Sequence, residues 1–429
     1  MSLFLILFFV SVLIIIKKKK KQILCNDLFY LIFSWVFIIG IYLVSGVQFG
    51  KYGFSIQLIV FLFLCSLFFF LGRNKGYNGP VSVFGKNEGG KPPVRLAIIG
   101  VLGIFMFLFD AFRLNNALFV LVASEKNEIE LSIIGTIGSL LIPILLVVGI
   151  YMIANSWIKE GRLSILGLLM LFLYSIPCML HSGRESLVYI VICIIVIYGY
   201  KSIVLKQSRM PTSKKMLVFL VGVFALYLLG VGLYNISESR FGDNEISIFL
   251  AKHDVDAKTQ AEAETWGNFS FLYYNILSYY DHQIAFLDFT LRNYHGPYLF
   301  GMYELNIISR RLPEWMGLDY NMAYDELERL FSRYNISFKG GWNTVLGCFI
   351  MDFSAFGAVI VCYFCGLFLG KIRKKFLRTL DIRYAVLVAL CCMCCFTTIM
   401  LGPFYNTMIY GTLIWWFIFF HGKETVKIQ

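Results

Sequence analysis

Residues 187–200, LVYIVICIIVIYGY, contain no charged side chain, and HSGRES at 181–186 stands directly before them. Runs of this kind recur through the 429-residue chain, which is 59% hydrophobic and 15% charged, with a mean hydropathy of +0.73. Soluble domains carry roughly 25% charged residues. Uncharged runs of about 15–20 residues have the length a helix needs to cross a ~30 Å hydrocarbon core. Lipid offers the backbone no hydrogen-bond partner, so each such run must satisfy itself as a helix. The expected fold class is therefore an all-α polytopic membrane protein.

Working outward from 187–200, the apolar runs predict eleven spans, at about 2–16, 28–47, 54–71, 96–112, 131–153, 163–180, 186–200, 216–234, 343–370, 384–401 and 405–420. The first is expected to be an anchor, not a cleaved signal, because Lys17–Lys21 follows the apolar stretch and no small-residue cleavage site is present. The formal net charge of +12 gathers in short clusters beside the runs, such as Lys371, Arg373, Lys374 and Lys375. Cytoplasmic loops accumulate Lys and Arg in this way. If Lys17–Lys21 is cytoplasmic, alternation puts the basic loops 72–95, 154–162, 201–215 and 371–383 on the same side, with the C-terminal tail. The N-terminus, HSGRES and the segment 235–342 fall outside. No basic stripe interleaved with aromatics occurs, which excludes nucleic acid as a partner.

The chain then divides into spans one to eight at 1–234, a large external loop at 235–342, and spans nine to eleven with the tail at 343–429. A crossing at about 266–291 would invert the 371–383 cluster and bury Asp281 and His282 in lipid. That stretch is expected instead at the outer surface, its Trp and Tyr side chains at headgroup level. Within the loop, 319–334 (DYNMAYDELERLFSRY) places Ala323, Leu327, Leu330, Phe331 and Tyr334 on one helical face, with its acids early and its arginines late. No cysteine falls in the loop, so no disulfide framework is expected. The run CCMCC at 391–395 has no His or carboxylate beside it and reads as small polarizable filler, so no metal is expected.

The common soluble catalytic motifs are absent. The loop holds fifteen acids against nine bases, and Arg240, Arg292, Arg310 and Arg311 stand beside aromatic or apolar neighbours. Arginine is suited to holding phosphate in a fixed fork; a headgroup contact is the plainer role for any one of them. A bundle opening outward under such a loop suits a substrate with a lipid tail, an anionic phosphate group and a polar head.

Three features resemble the O-antigen polymerase (Wzy) family, the oligosaccharide repeat-unit polymerases of bacterial inner membranes. They are the plan of ten or more spans with one dominant external loop late in the chain, the short external turn Gly183-Arg184, and GGWNTVLGCFIMDFSAFG at 340–357. The resemblance implies a GT-C-like helical fold and a glycosyltransferase whose donor and acceptor are undecaprenyl-pyrophosphate-linked oligosaccharides. It implies no cofactor, and a chain-length regulator as a protein partner beside the membrane lipids. Carried over, Arg184 is the first candidate for the pyrophosphate, with Arg292, Arg310 and Arg311 behind it; the plainer role for Arg184 is a helix-end arginine reaching headgroups. Asp281, His282 and His295 are the candidate bases, each with a structural role as the plainer alternative. Asp352, expected a third of the way down its span, is a site-supporting residue there with Gly183, with an arginine as its expected partner. An O-antigen ligase, using the same donor, and a lipid-linked oligosaccharide flippase or other transporter are the rival readings.

Overall fold

In the computed structural model, the residues described are 24–45, 55–78, 94–115, 132–180, 185–204, 283–305, 309, 312–316, 322–333, 343–398 and 407–420. Among them every regular element is a helix. In chain order those longer than a single turn are α1 (Asp27–Ser45), α2 (Ile56–Asn78), α3 (Val94–Asn115), α4 (Ile133–Leu141), α5 (Pro143–Lys159), α6 (Ile165–Leu180) and α7 (Glu185–Val204). Then come α8 through 283–293, α9 (Met322–Ser332), α10 (Val345–Thr379), α11 (Ile382–Thr397) and α12 (Thr407–Phe420).

Five stretches are long and apolar enough to cross a membrane: Ile56–Asn78, Arg95–Leu114, Ile133–Lys159, Ser186–Val204 and Val345–Thr379. Shorter apolar helices occupy the expected spans at 28–47, 163–180, 384–401 and 405–420. The expected spans at 2–16 and 216–234 lie outside the described residues. The chain is an α-helical protein with several membrane-length apolar helices.

Small residues set how the helices meet. Gly72 and Gly76 of α2 face Gly366 and Gly370 of α10, one turn apart on each helix. A Cβ at Gly72 would lie 2.0 Å from the Tyr363 carbonyl oxygen, and one at Gly366 would lie 2.1 Å from that of Phe69. Gly76 and Gly370 meet Leu367 and Arg73 in the same way, at 2.2 Å each. Only glycine lets two backbones approach so closely, the device by which membrane helices associate where no hydrophobic drive exists between them. Because the partners advance together along both chains, α2 and α10 run parallel. Alternation also sends spans three and nine across in one direction.

Two cores result. One gathers side chains of α1, α5, α6, α7, α11 and α12 around α11, whose Val386, Ala389, Leu390 and Cys392 are fully or nearly fully buried. The other joins α1, α2 and α10 to α8 and α9. As the sequence pattern requires, α9 buries Leu327, Leu330 and Phe331. The CCMCC run lies in α11 as packed, free thiols.

At one end of the α2–α10 pair, Arg73 binds Asp27 with two parallel bonds, Nε to Oδ2 and Nη2 to Oδ1, both 2.9 Å. It also donates to Asn26 Oδ1 at 2.7 Å. Arg373 donates to the Cys25 carbonyl at 2.5 Å and lies 3.7 Å from Asp27. The C-terminal ends of α2 and α10 and the start of α1 therefore share one end of the bundle. Lys201, stacked over Trp157 at 5.2 Å, likewise joins the C-terminal ends of α5 and α7.

Candidate functional site

The opposite end of α10 is not a continuous helix. Ser354 has φ 69° and ψ 169°, which breaks the helix between Phe353 and Ala355. Its Oγ accepts from the Gly357 N–H at 3.3 Å, so Ser354 serves as N-cap of the second half. An intact helix would bond the carbonyls of Met351 and Asp352 to the N–H groups four residues on. The break removes those donors, and carbonyls left bare beside lipid cost several kcal/mol each, on the order of a lost hydrogen bond in hydrocarbon.

The stretch 299–304 supplies the replacements. Leu299 N–H donates to the Met351 carbonyl at 3.1 Å, and Phe300 N–H donates to the Asp352 carbonyl at 3.0 Å. The Asp352 carboxylate then accepts from Tyr303 N–H at 2.9 Å and from Glu304 N–H at 3.3 Å. Phe300 at φ 50° and Gly301 at φ 91° bend the chain tightly enough to aim all four donors at α10. Tyr294 O–H donates to the Pro297 carbonyl and closes the approach to the turn. Burial, with the charges of Glu326 and Asp352, pushes the Tyr294 phenol above its usual range. Asp288 of α8 accepts from the hydroxyl and the N–H of Ser55, the residue that caps α2, and so ties α8 to that helix.

The register of α10 against α2 gives the depth of the break. Phe69 lies opposite Gly366 and Arg73 opposite Gly370, and the same offset sets Ile56, the first residue of α2, level with Phe353. About 20 helical residues cover a ~30 Å core, and counting back from Lys371 also reaches Met351. The break therefore stands level with the start of α2. Asp352, expected a third of the way down its span, lies just before this break. The carboxylate is fully buried, but its partners are backbone N–H groups instead of the expected arginine.

His295 is exposed in the segment leading into the turn. Arg292 is engaged, its Nη2 3.2 Å from Asp288 Oδ2, with 36% of the side chain still exposed. Gly183, Arg184, Asp281, His282, Arg310 and Arg311 lie outside the described residues. Glu304 is a carboxylate that sequence reasoning missed. It is 5% exposed and adjoins Asp352 through its own N–H; its neighbours Tyr303 and Leu305 gave it the look of an isolated loop acid. Around the turn, Phe300 is 80% exposed and Phe356, in the first turn after the break, 76%. The site thus combines the buried Asp352 carboxylate, a second buried acid in the turn it receives, exposed aromatic side chains and an arginine. Among the described residues no cluster of His, Cys, Asp and Glu could hold a metal ion. Comparison with family models, curated proteins and solved structures finds no match for the chain.

Proposed function

We propose that the protein is an O-antigen polymerase, a glycosyltransferase that joins undecaprenyl-pyrophosphate-linked oligosaccharide repeat units on the periplasmic face of a bacterial inner membrane. On this reading the chain has eleven spans in a GT-C-like arrangement, with a periplasmic N-terminus and a cytoplasmic C-terminus. The observation that carries the reading is a coincidence of place. The stretch GGWNTVLGCFIMDFSAFG, one of the three features that carry the family resemblance, contains the break in α10 and the residues that receive the 299–304 turn. A lipid-borne pyrophosphate lies at the membrane surface, and the break lies level with the start of α2.

The chemistry is a group transfer. An acceptor hydroxyl oxygen attacks the anomeric carbon of the donor glycan, and the bond from that carbon to the pyrophosphate oxygen breaks. Undecaprenyl pyrophosphate leaves with the electron pair, and the hydroxyl proton passes to a base. Arg184 leads the phosphate-binding set, with Arg292, Arg310 and Arg311 beside it, because fixed guanidinium donors stabilise the charge that develops on the leaving group. Asp281, His282 and His295 are the proposed bases.

A deletion strain should carry surface lipopolysaccharide capped with a single repeat unit, read on a silver-stained gel. Loss of every repeat unit would instead identify a ligase or flippase. Arg184→Ala should reproduce the single-unit pattern with normal membrane abundance, and long ladders from that variant would remove Arg184 from the mechanism. The broken helix favours a transporter as the second reading, since discontinuous spans form the sites of many transporters. Export of lipid-linked repeat units by proteoliposomes would decide for it.

A further inference from the structure

N–H groups of Leu299, Phe300, Tyr303 and Glu304 in one turn converge on two residues of a broken helix. Two of the acceptors are main-chain carbonyls that any residue would provide. The other two are the oxygens of Asp352. We propose that Asp352 is a positioning residue, a latch whose carboxylate holds the 299–304 turn against the break in α10 and so sets where the preceding His295 and Arg292 stand over the membrane.

The chemistry of the turn explains why a carboxylate is used. Facing two N–H groups, an ionised carboxylate offers an acceptor to each and no donor of its own. An asparagine would keep one acceptor and set an NH2 group against an N–H. A glutamate would keep both acceptors at the end of one more methylene. Both carboxylate oxygens of Asp352 are engaged by N–H groups of the turn. Its influence runs through the turn.

The position of the turn matters because of what it carries. His295 and Arg292 lie just before it, and Phe300 projects from it at the level where α2 begins. A non-glycine residue held at positive φ is strained, and here the strain presents an aromatic ring to the membrane boundary. If the latch opens, all these side chains remain in the chain but lose their common place. The effect on catalysis rests on the glycosyl-transfer reading above, whereas the latch itself does not.

The test uses the full chain in native membranes and separates the two. Leu299 is 2% exposed, so a Leu299→Cys reporter should resist a membrane-impermeant maleimide applied from the loop side. In D352N the same reporter should label several-fold faster, and the repeat-unit ladder should collapse toward one unit at unchanged abundance. D352E should restore protection and part of the ladder. Lipid-linked substrate titrated onto membranes should show D352N lowering kcat more than it raises KM. A reporter that stays protected in D352N overturns the latch. A reporter that labels while the ladder stays long overturns the positioning role. If D352N does not accumulate, G301V strains the turn from the loop side, since valine is poorly accommodated at φ 91°. It should unmask Leu299→Cys and shorten the ladder, and a protected reporter with long ladders in G301V would overturn the proposal. Failure of the polymerase reading itself would show in the deletion strain and leave the labelling result intact.

Discussion

Asp27 is 3% exposed and lies between two arginines, with the two-pronged bond to Arg73 and the longer approach of Arg373. Removing the carboxylate would leave two guanidinium groups buried at the helix ends without their shared counter-charge. Breaking one partner of a buried pair costs about 3–5 kcal/mol. Asp27→Ala should therefore lower the thermal unfolding midpoint of the purified protein in detergent sharply, and Arg73→Lys by less, because lysine keeps the charge but cannot make the paired bonds. A midpoint unchanged in Asp27→Ala would show that the network adds nothing to stability. The sequence announces Arg373 only as one member of a basic cluster flanking a span. That it turns inward, while Arg378 in the same helix is exposed, depends on where α1 begins, which no local pattern records. Asp110 is a similar case. It is fully buried and accepts from Ser132 N–H, Ser132 O–H, Gly135 N–H and Arg113, and so caps α4 across a connection.

At the scale of elements, the α2–α10 contact follows from two short patterns, GRNKG at 72–76 and GLFLG at 366–370. Each is legible as a small-xxx-small pattern, but only the fold pairs one with the other. Cys65 and Cys362 sit across this contact, close enough for a thiol hydrogen bond. Mild oxidation should join them, read as two fragments held together after cleavage in the external segment. Gly366→Ile should prevent that cross-link, since its Cβ would start 2.1 Å from the Phe69 carbonyl oxygen. An undiminished cross-link in Gly366→Ile would mean that the helices do not meet through these glycines. The break in α10 behaves differently. The stretch IMDFSAFG at 350–357 has no proline and no glycine at the break itself, so its apolar pattern reads as one uninterrupted span. What stabilises the interruption is a turn about fifty residues earlier that brings its own N–H groups. A break supported from elsewhere in the chain leaves no local signature.

For the molecule as a whole, the parallel pairing of α2 with α10 agrees with an alternation first drawn from charge alone. The basic ends Arg73 and Arg373 meet at one end of the pair, and Asp288 and the docked turn meet its other end. The proposed orientation gives a direct measurement. In intact cells, a cysteine at His295 should react with an impermeant reagent, and one at Arg378 should react only after permeabilisation. The reverse pattern would invert the topology and place the candidate site in the cytoplasm, where no lipid-linked polymerisation of this type could use it.

By itself the sequence determined the helical, membrane-type class of the protein and the place of its described apolar helices, because these follow from what lipid does to each apolar run in turn. It also marked α9 and its buried face, since that periodicity is complete within the segment. Tertiary structure alone decided that Asp352 serves a turn and not an arginine, that Arg292 is held by Asp288, and that Glu304 belongs beside Asp352. These are agreements between donors and acceptors far apart in the chain, and the carbonyls exposed by a broken helix find partners only once the external segment has folded onto it.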